Sequence, residues 1–423
     1  MKVAHLNAYD GNGGAGRACL RLNEALRVEG VDSIVLVNYK FGNDPAIQSL
    51  NAGALAKGFT AFGILLERFI SSFYSKKVKI PFSVPVWGKS LASSAFLETA
   101  DIIHLHWINH GFLRPRDLKA LQKLNKPIVW TFHDSNAFTG GCHVRYTCSH
   151  FENECGNCPI LKESNPDDIS HGIWKSKNDA YRCVSFEVIA PSNWMAGSVR
   201  RSKLLKSAPV HVIPNTLNTE VFVPVSKADA KQQAGLQADK FIMLSGFMPS
   251  RLDLHKGTPF LLEALGMLTE SKNIDPDRIE LIVFGNRDEK TVPEFPVKTT
   301  FLGTISDDRK LAAYYSAADV FLTPSLEDNL PNTVMESLAC GTPVVAFTTG
   351  GIPDMVCHQH NGYLAEYRSS ADFASGVEWV YLHENRHELN AQARATVEKR
   401  FSPHVVAGQH IELYKSVLMN HKS

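Results

Sequence analysis

Two carboxylates eight positions apart, Asp328 and Glu336, are the first residues of this chain that could do chemistry on a ligand. Carboxylates accept hydrogen bonds from hydroxyl groups, and a helix N-terminus offers free backbone N–H groups to an anion. The stretch Thr323-Pro-Ser-Leu-Glu327-Asp328-Asn329-Leu330-Pro331 leads into Asn-Thr-Val-Met-Glu336-Ser-Leu-Ala-Cys-Gly341, which places the N–H groups of Asn329 and Leu330 between the two acids. Such a pocket suits a phosphate with polyhydroxylated groups on both sides. A plainer reading fits the spacing equally: an acidic first turn that favours the helix dipole, and one solvated Glu.

Three further sets carry chemical potential. Arg251 and Lys256 stand just before an apolar helical run. Two such cations suit a diphosphate, the guanidinium as a fork and the ammonium as a point charge, and exposed surface charges are the alternative. His106 and His133 each end an apolar run, where an imidazole can meet a ligand with its charge adjustable near neutral pH. A lone core histidine is the alternative there. Cys142, Cys148, Cys155 and Cys158 fall within 17 residues as Cys-x5-Cys-x6-Cys-x2-Cys. Four thiolates would close a tetrahedral structural zinc site without an open catalytic position; reduced thiols and disulfides are the alternatives.

The elements that must position these residues read as alternating strands and helices. Apolar runs at 3–7, 33–38, 101–106 and 127–132 form strands of a first half, and 241–246, 281–285, 319–323 and 344–347 those of a second. A helix opening at Asn329 or Leu330, with Pro331 in its first turn, ends at Gly341. Gly11-Asn-Gly13-Gly14-Ala-Gly16 spells Gly-x-Gly-x-x-Gly and invites a dinucleotide reading. Residues 8–10 separate the first strand from Gly11, and the second strand ends in Asn38 rather than an acid, so that reading is set aside. Residues 54–80 carry Phe59, Phe62, Leu65, Phe69 and Phe73 and then Lys76, Lys77 and Lys79. This is an amphipathic helix with a basic end, either packed on the core or lying on an anionic membrane surface.

At 423 residues the chain can hold two domains, each with its own core. A net charge of +1 argues for no nucleic-acid partner. No secretory leader and no apolar run of about 20 residues is visible, so a cytoplasmic location is expected. Eight cysteines, half of them clustered, fit reducing surroundings with one local site.

The acid, seven residues, Glu336, then Ser-Leu-Ala-Cys-Gly341-Thr-Pro-Val-Val, resembles the donor signature of retaining glycosyltransferases of family 4. Asp328 stands where Glu is commoner, with Glu327 beside it, and Asn329-Leu330-Pro331 replaces the commoner Gly-Phe-Gly, as in a polysaccharide branch of the colanic-acid or capsule type. That branch carries a similar cysteine-rich insert, here 140–160. The resemblance implies α/β architecture of the GT-B type: two facing Rossmann-like domains with a cleft between them and a C-terminal helix crossing back. The expected bounds are 1–215 for the acceptor domain, 216–402 for the nucleotide-sugar domain and 403–423 for the returning helix. It implies Arg251 and Lys256 as the diphosphate clamp, Glu336 on the ribose, and Asp328 or Glu327 on the donor hexose. Asn329 and Leu330 offer N–H groups, Gly13 and Gly14 form a loop near donor phosphates and acceptor, and His133 sits near the reacting sugar.

The function expected from all this is retaining, metal-independent transfer of a hexose-type sugar from a nucleotide-diphosphate sugar to a glycan or lipid-linked acceptor, in bacterial surface polysaccharide synthesis. No cofactor is needed for catalysis, and peripheral contact with the inner membrane follows from a lipid-linked acceptor. A sugar-nucleotide epimerase of the same fold and a non-catalytic nucleotide- or carbohydrate-binding assembly protein are the alternatives. Donor base, acceptor, linkage and oligomeric state are not written in these motifs.

Overall fold

The computed structural model describes residues 1–11, 13–44, 46–51, 53–74, 81–89, 91, 95–246, 254–285 and 292–422. The chain divides into two compact units, Met1–Thr216 with Pro403–Ser423, and Leu217–Ser402.

The first unit is built on a parallel sheet of seven strands: β1 (Lys2–Tyr9), β2 (Asp32–Tyr39), β3 (Ile47–Ser49), β4 (Ile102–Leu105), β5 (Ile128–Thr131), β6 (Glu187–Ala190) and β7 (Val210–Val212). Their order is β3-β2-β1-β4-β5-β6-β7. The strands are apolar on both faces because both are covered, as a parallel sheet requires. Val3, Ile102, Val129 and Ile189 pack beneath Leu22 and Leu26 of the helix Gly13–Val28 and beneath Val406, Tyr414 and Val417 of the C-terminal helix Pro403–Lys422. Their neighbours Ala4, Ile103, Ile128 and Val188 face the opposite layer, with Leu118, Leu121, Trp174 and Met195. The period of two along each strand thus assigns alternate residues to two cores.

The second unit repeats the plan with β8 (Phe241–Gly246), β9 (Ile279–Phe284), β10 (Thr299–Gly303), β11 (Val320–Thr323), β12 (Val344–Phe347) and β13 (Gly362–Ala365), in the order β10-β9-β8-β11-β12-β13, all parallel. In both sheets the winding reverses beside the first strand, between β1 and β4 and between β8 and β11. Loops leaving the carboxyl ends of those strands border a crevice where ligands of such sheets bind.

Three local expectations change. The strand β1 reaches Tyr9, so Asp10 alone parts it from Gly11, and the separation argument against a dinucleotide loop falls; Asn38 near the end of β2 still counts against one. The helix expected from Asn329 or Leu330 begins at Asn332, with Pro331 as its N-cap, so Asn329 and Leu330 lie in the preceding loop rather than in its first turn. Leu330 is drawn into the core with Val334, which commits the chain to a loop until Pro331 fixes the helical entry. Gly341 closes that helix in the left-handed region, with Gly341 N donating to Leu338 O and Thr342 N to Ser337 O.

The third concerns the helix Ala54–Tyr74, whose amphipathicity is turned outward. Its inward face is Thr60, Gly63, Ile64, Glu67 and Ser71. Leu55, Phe59, Phe62, Leu65, Phe69 and Phe73 face solvent, each at least 54% exposed. Gly63 is required where the helix meets Trp87, since a Cβ there would lie 2.3 Å from the indole. Glu67 accepts from Gly111 N at 2.6 Å and from His110 N at 3.2 Å, so burial of its carboxylate is met by backbone donors. Lys76, Lys77 and Lys79 lie outside the described residues.

Candidate functional site

In the second unit the loops leaving β8 and β11 meet at the switch point. The short turn Leu254–Lys256 follows β8, and Asp328 follows β11. Lys256 Nζ donates to Asp328 Oδ2 at 2.9 Å. The loops are sewn together by backbone as well: Leu326 N donates to His255 O at 2.9 Å, and His255 Nε2 lies 2.6 Å from Glu327 O. Two glycines make this approach possible. A Cβ on Gly257 (φ +69°) would lie 1.8 Å from Pro324 O, and one on Gly350 (φ +57°) 1.8 Å from Asp328 O.

Burial by itself would raise the Asp328 carboxyl, but the Lys256 ammonium, His255 and the Ser325 hydroxyl outweigh it and hold the group below the usual carboxylate range. Asp328 is therefore an ionised acceptor with one oxygen engaged by Lys256. A ligand diphosphate that drew the ammonium away would free that oxygen for a hydroxyl. Glu336, on the helix Asn332–Ala339, is 1% exposed and accepts from Tyr315 OH at 3.0 Å. Tyr315 in turn is fixed from the helix Asp308–Ala317, its carbonyl taking Thr342 Oγ1 at 2.6 Å. Glu327 is buried and Leu330 faces the core. Thus Lys256 and Asp328 are brought together, Glu336 is held separately by Tyr315, and Arg251 lies outside the described residues. The sequence motifs do not mark His255, and they mark Tyr315 only as part of the stretch 314–319, where the family resemblance places the nucleotide base. The adjacency of His255 to Lys256 was the available signal for the first, and nothing in the spacing marked the second as a partner of Glu336.

In the first unit Gly13 opens the helix Gly13–Val28 at φ +81°, and a Cβ added to it would meet no heavy atom within 4 Å, so the backbone there is open to a ligand on that side. Gly14 is exposed at the same turn. His106 and His133 sit one and two residues beyond β4 and β5, and His106 Nδ1 lies 3.0 Å from His133 Nε2. A small cavity beside them is lined by Ala18, Leu22, Thr131, Asn215 and His410. Burial lowers His133 to about 4 and His106 well below its ordinary value, so both rings are neutral at pH 7.

Asp134 fixes this edge of the sheet. Its Oδ1 caps the turn Ser135–Phe138 by accepting from Asn136 N at 2.8 Å. Oδ2 accepts from Trp107 Nε1 at 2.8 Å and pairs with His143 Nδ1 at 2.6 Å. Lys177, buried and lowered to about 8 by desolvation, donates to the carbonyls of Asn136 and Thr139 and ties the same turn to the helix Ile169–Tyr181.

Cys142, Cys155 and Cys158 of the insert are buried, Cys148 is half-buried, and none is in a disulfide. Burial pushes the Cys142 and Cys158 thiols up, and neighbouring cysteines add to it, so the four lie within electrostatic reach of one another. Gly140 N donates to Cys155 Sγ at 3.1 Å. The donor set suits zinc. Among the described residues, however, the trio whose ligand atoms all lie within 4.8 Å is His5, Cys19 and His106, not three of these thiols. Zinc would have to draw the insert together.

A family model described as Glycosyltransferase Family 4 matches residues 12–221, and one described as Glycosyl transferases group 1 matches 243–383. Among curated proteins, a D-inositol 3-phosphate glycosyltransferase of Xylanimonas cellulosilytica is 26% identical over 48% of this chain and 51% of its own length. The chain thus spans about half of that relative. WcaC, a candidate colanic acid biosynthesis glycosyl transferase of Escherichia coli K12, is 22% identical over 82% of this chain and 83% of its own. Among solved structures, sucrose-phosphate synthase from Thermosynechococcus elongatus superposes with a TM-score of 0.68 at 19% identity, covering 99% of this chain and 100% of that one. Anabaena Alr3699/HepE in complex with UDP-glucose gives 0.65 at 17% identity, with 98% and 100% covered. With a glycosyltransferase model matched in each of its two units, the chain is a glycosyltransferase of family 4, built on the GT-B fold.

Proposed function

We propose that the protein transfers a hexose-type sugar from a nucleoside-diphosphate sugar to a glycan or lipid-linked acceptor in bacterial surface polysaccharide synthesis, with retention at the anomeric carbon and no catalytic metal. The observation that carries this reading is the Lys256–Asp328 pair at the switch point of the second sheet, beside the helix that bears Glu336. Lys256, with Arg251, would stabilise the charge that develops on the departing diphosphate. Asp328, with Glu327 beside it, would hold the donor hexose. Glu336 would take the ribose hydroxyls, and the N–H groups of Asn329 and Leu330 would meet phosphate oxygens. His133 and the Gly13–Gly14 turn would order donor and acceptor. Similarity to a protein solved with UDP-glucose supports a uridine donor, and similarity to WcaC supports the polysaccharide role. The test is incubation with labelled UDP-, GDP- and ADP-hexoses and a lipid extract as acceptor, after dialysis against EDTA. An α-linked extended product from an α-configured donor supports the reading; a free epimer, or binding without turnover, would replace it with one of the alternatives.

The acceptor side of this reading includes the cytoplasmic face of a membrane. No helix among the described residues is long and apolar enough to cross one. The helix Ala54–Tyr74 instead shows six large apolar side chains to solvent, with Lys57 and Arg68 exposed on the same helix. A stripe of that extent, flanked by cations, fits the interface of an anionic bilayer, where the acyl region takes the apolar face. Flotation with vesicles containing about 30% anionic lipid should carry the wild type up and leave Phe62→Ser/Phe69→Ser below. A wild type that stays below, or a dimer in solution that buries the stripe, would refute it. Structural zinc on Cys142, Cys148, Cys155 and Cys158 is part of the same proposal. Metal analysis of protein purified under reducing conditions without chelator should find about one zinc per chain, and finding none would remove it.

A further inference from the structure

The loops beyond β1, β2 and β4 carry a set of aromatic rings that take no part in the roles assigned above. Tyr9 ends β1 and Tyr39 ends β2; Phe41 lies two residues past Tyr39, and Trp107 and His110 follow β4. Tyr9 stands at the centre, with the ring centroids of Phe41, Trp107 and His110 at 5.7, 5.9 and 5.9 Å from its own. Tyr39 packs on Phe41 at 4.8 Å, and Trp107 meets His110 edge-on at 4.6 Å. The winding of the sheet reverses between β1 and β4, so Tyr9 and Trp107 border the crevice in which such sheets take a ligand.

The rings are held in place before any ligand arrives. Phe41 is 60% exposed, yet Asp10 pins its loop by accepting from Phe41 N and from Gly42 N, both at 2.7 Å. Trp107 is half-buried; its backbone N donates to Asn7 Oδ1 at 3.0 Å and its Nε1 to Asp134 Oδ2 at 2.8 Å. An exposed ring on a pinned loop has little freedom left to lose on binding. Aromatic faces are partly negative, and the C–H groups on one side of a pyranose are drawn to them. Arg68 adds a cation. It is exposed on the helix Ala54–Tyr74, and its guanidinium donates to the Tyr9 hydroxyl, which itself lies 3.0 Å from His110 Nδ1. A guanidinium has five N–H donors, so the bond to Tyr9 leaves others for an anion. The carboxylates alongside are turned to backbone donors, Asp10 to the Phe41 loop and Glu67 to Gly111 N and His110 N.

We propose that Phe41 and Trp107 form the floor on which the pyranose ring of the acceptor stacks, and that Arg68 binds a phosphate joined to that ring. The acceptor is then a sugar carried on a lipid diphosphate and not a free glycan, a conclusion that rests on the transfer reaction proposed above. A free glycan has no group that calls for Arg68, whereas a phosphate meets a guanidinium in a fork. The helix supports the same choice: along the chain Arg68 falls between Leu65 and Phe69, two of the apolar side chains turned to solvent. A lipid tail at that stripe, its phosphate at Arg68 and the sugar at Phe41 would follow one another, with no charge left in the apolar region.

Binding of acceptor can be measured without donor, so its outcome is separate from that of the reaction. Full-length protein is titrated calorimetrically with geranyl diphosphates that carry glucose, galactose or N-acetylglucosamine, and with the matching geranyl glycosides that lack phosphate. One diphosphate sugar should bind about tenfold more tightly than its glycoside, the worth of a charge-assisted contact. Arg68→Gln should remove that difference and leave the glycoside affinity unchanged. Phe41→Ala should weaken both ligands about fivefold, and Phe41→Trp, which keeps a ring, should restore them. Diphosphate sugars that bind no better than glycosides, or an advantage that survives Arg68→Gln, would overturn the phosphate site. A folded Phe41→Ala protein of wild-type affinity would overturn the stacking floor. A wild type that binds a nucleoside diphosphate but none of these probes would overturn the whole assignment and leave the transfer reaction standing.

Discussion

Replacing Lys256 by Met isolates the ion pair at the centre of the second unit, because the side-chain stem is kept and the charge removed. The Lys256 and Asp328 side chains are 32% and 20% exposed. Fully exposed pairs contribute about 0–1 kcal/mol and breaking a buried one costs about 3–5, so a pair at this depth is worth about 2 kcal/mol. For a unit the length of Leu217–Ser402 this lowers the melting temperature by about 4–8 °C at pH 7. The pH dependence has a definite sign. Asp328 is held below its unfolded value of about 3.9, so the stability it contributes is present above that pH and is lost as pH falls through the lowered folded value. The gap between Lys256→Met and wild type should therefore be full near neutrality and close in acid. Differential scanning calorimetry from pH 7 downward measures it. A variant within about 1 °C of wild type at pH 7, or a gap that widens on acidification, would refute the pair as described.

Tyr315→Phe should cost about 1–3 kcal/mol in urea unfolding, since it leaves the buried Glu336 carboxylate without its hydroxyl donor. Gly350→Ala should destabilise by more than about 1 kcal/mol, because it combines a left-handed backbone with a Cβ placed against Asp328 O; a neutral effect in thermal melts would contradict the close approach. Acid should act on the first unit through its histidines. His5, His133 and His410 are lowered by burial to about 3, 4 and 4, so their neutral burial costs nothing above the unfolded value of about 6.5. Stability should then fall between about pH 6.5 and pH 4 as unfolding takes up protons, and a melting temperature flat over that window would count against the cluster.

Much of the fold could be read because apolar runs and punctuation agree locally. The runs at 241–246 and 344–347 are β8 and β12 as read, and Gly341 ends its helix where only a positive φ continues the chain. The helix start differs from its expected place because Pro331 is compatible with the first helical turn and with an N-cap, and the burial of Leu330 decides between them. The orientation of the helix Ala54–Tyr74 is invisible to periodicity, which finds a stripe but not the side on which it faces the protein. That Glu67 faces inward depends on the loop bearing His110 and Gly111, distant in sequence. The approach of His5 to His106 could not be read either: His5 looks like an ordinary strand residue, and only the parallel pairing of β1 with β4, Leu6 beside Leu105, brings its ring to that of His106.

The most direct test of the central claim is a thermal-shift comparison of wild type, Lys256→Ala and Glu336→Gln against UDP, GDP, ADP and CDP. A diphosphate at 100 times its Kd stabilises the native state by about 2.7 kcal/mol, which should raise the melting temperature of wild type by about 5–10 °C. One nucleotide that does so, with the shift lost in both folded variants, is the predicted result. No shift of the folded wild type with any of the four would contradict a nucleotide-sugar transferase whose donor is held by Lys256, Asp328 and Glu336.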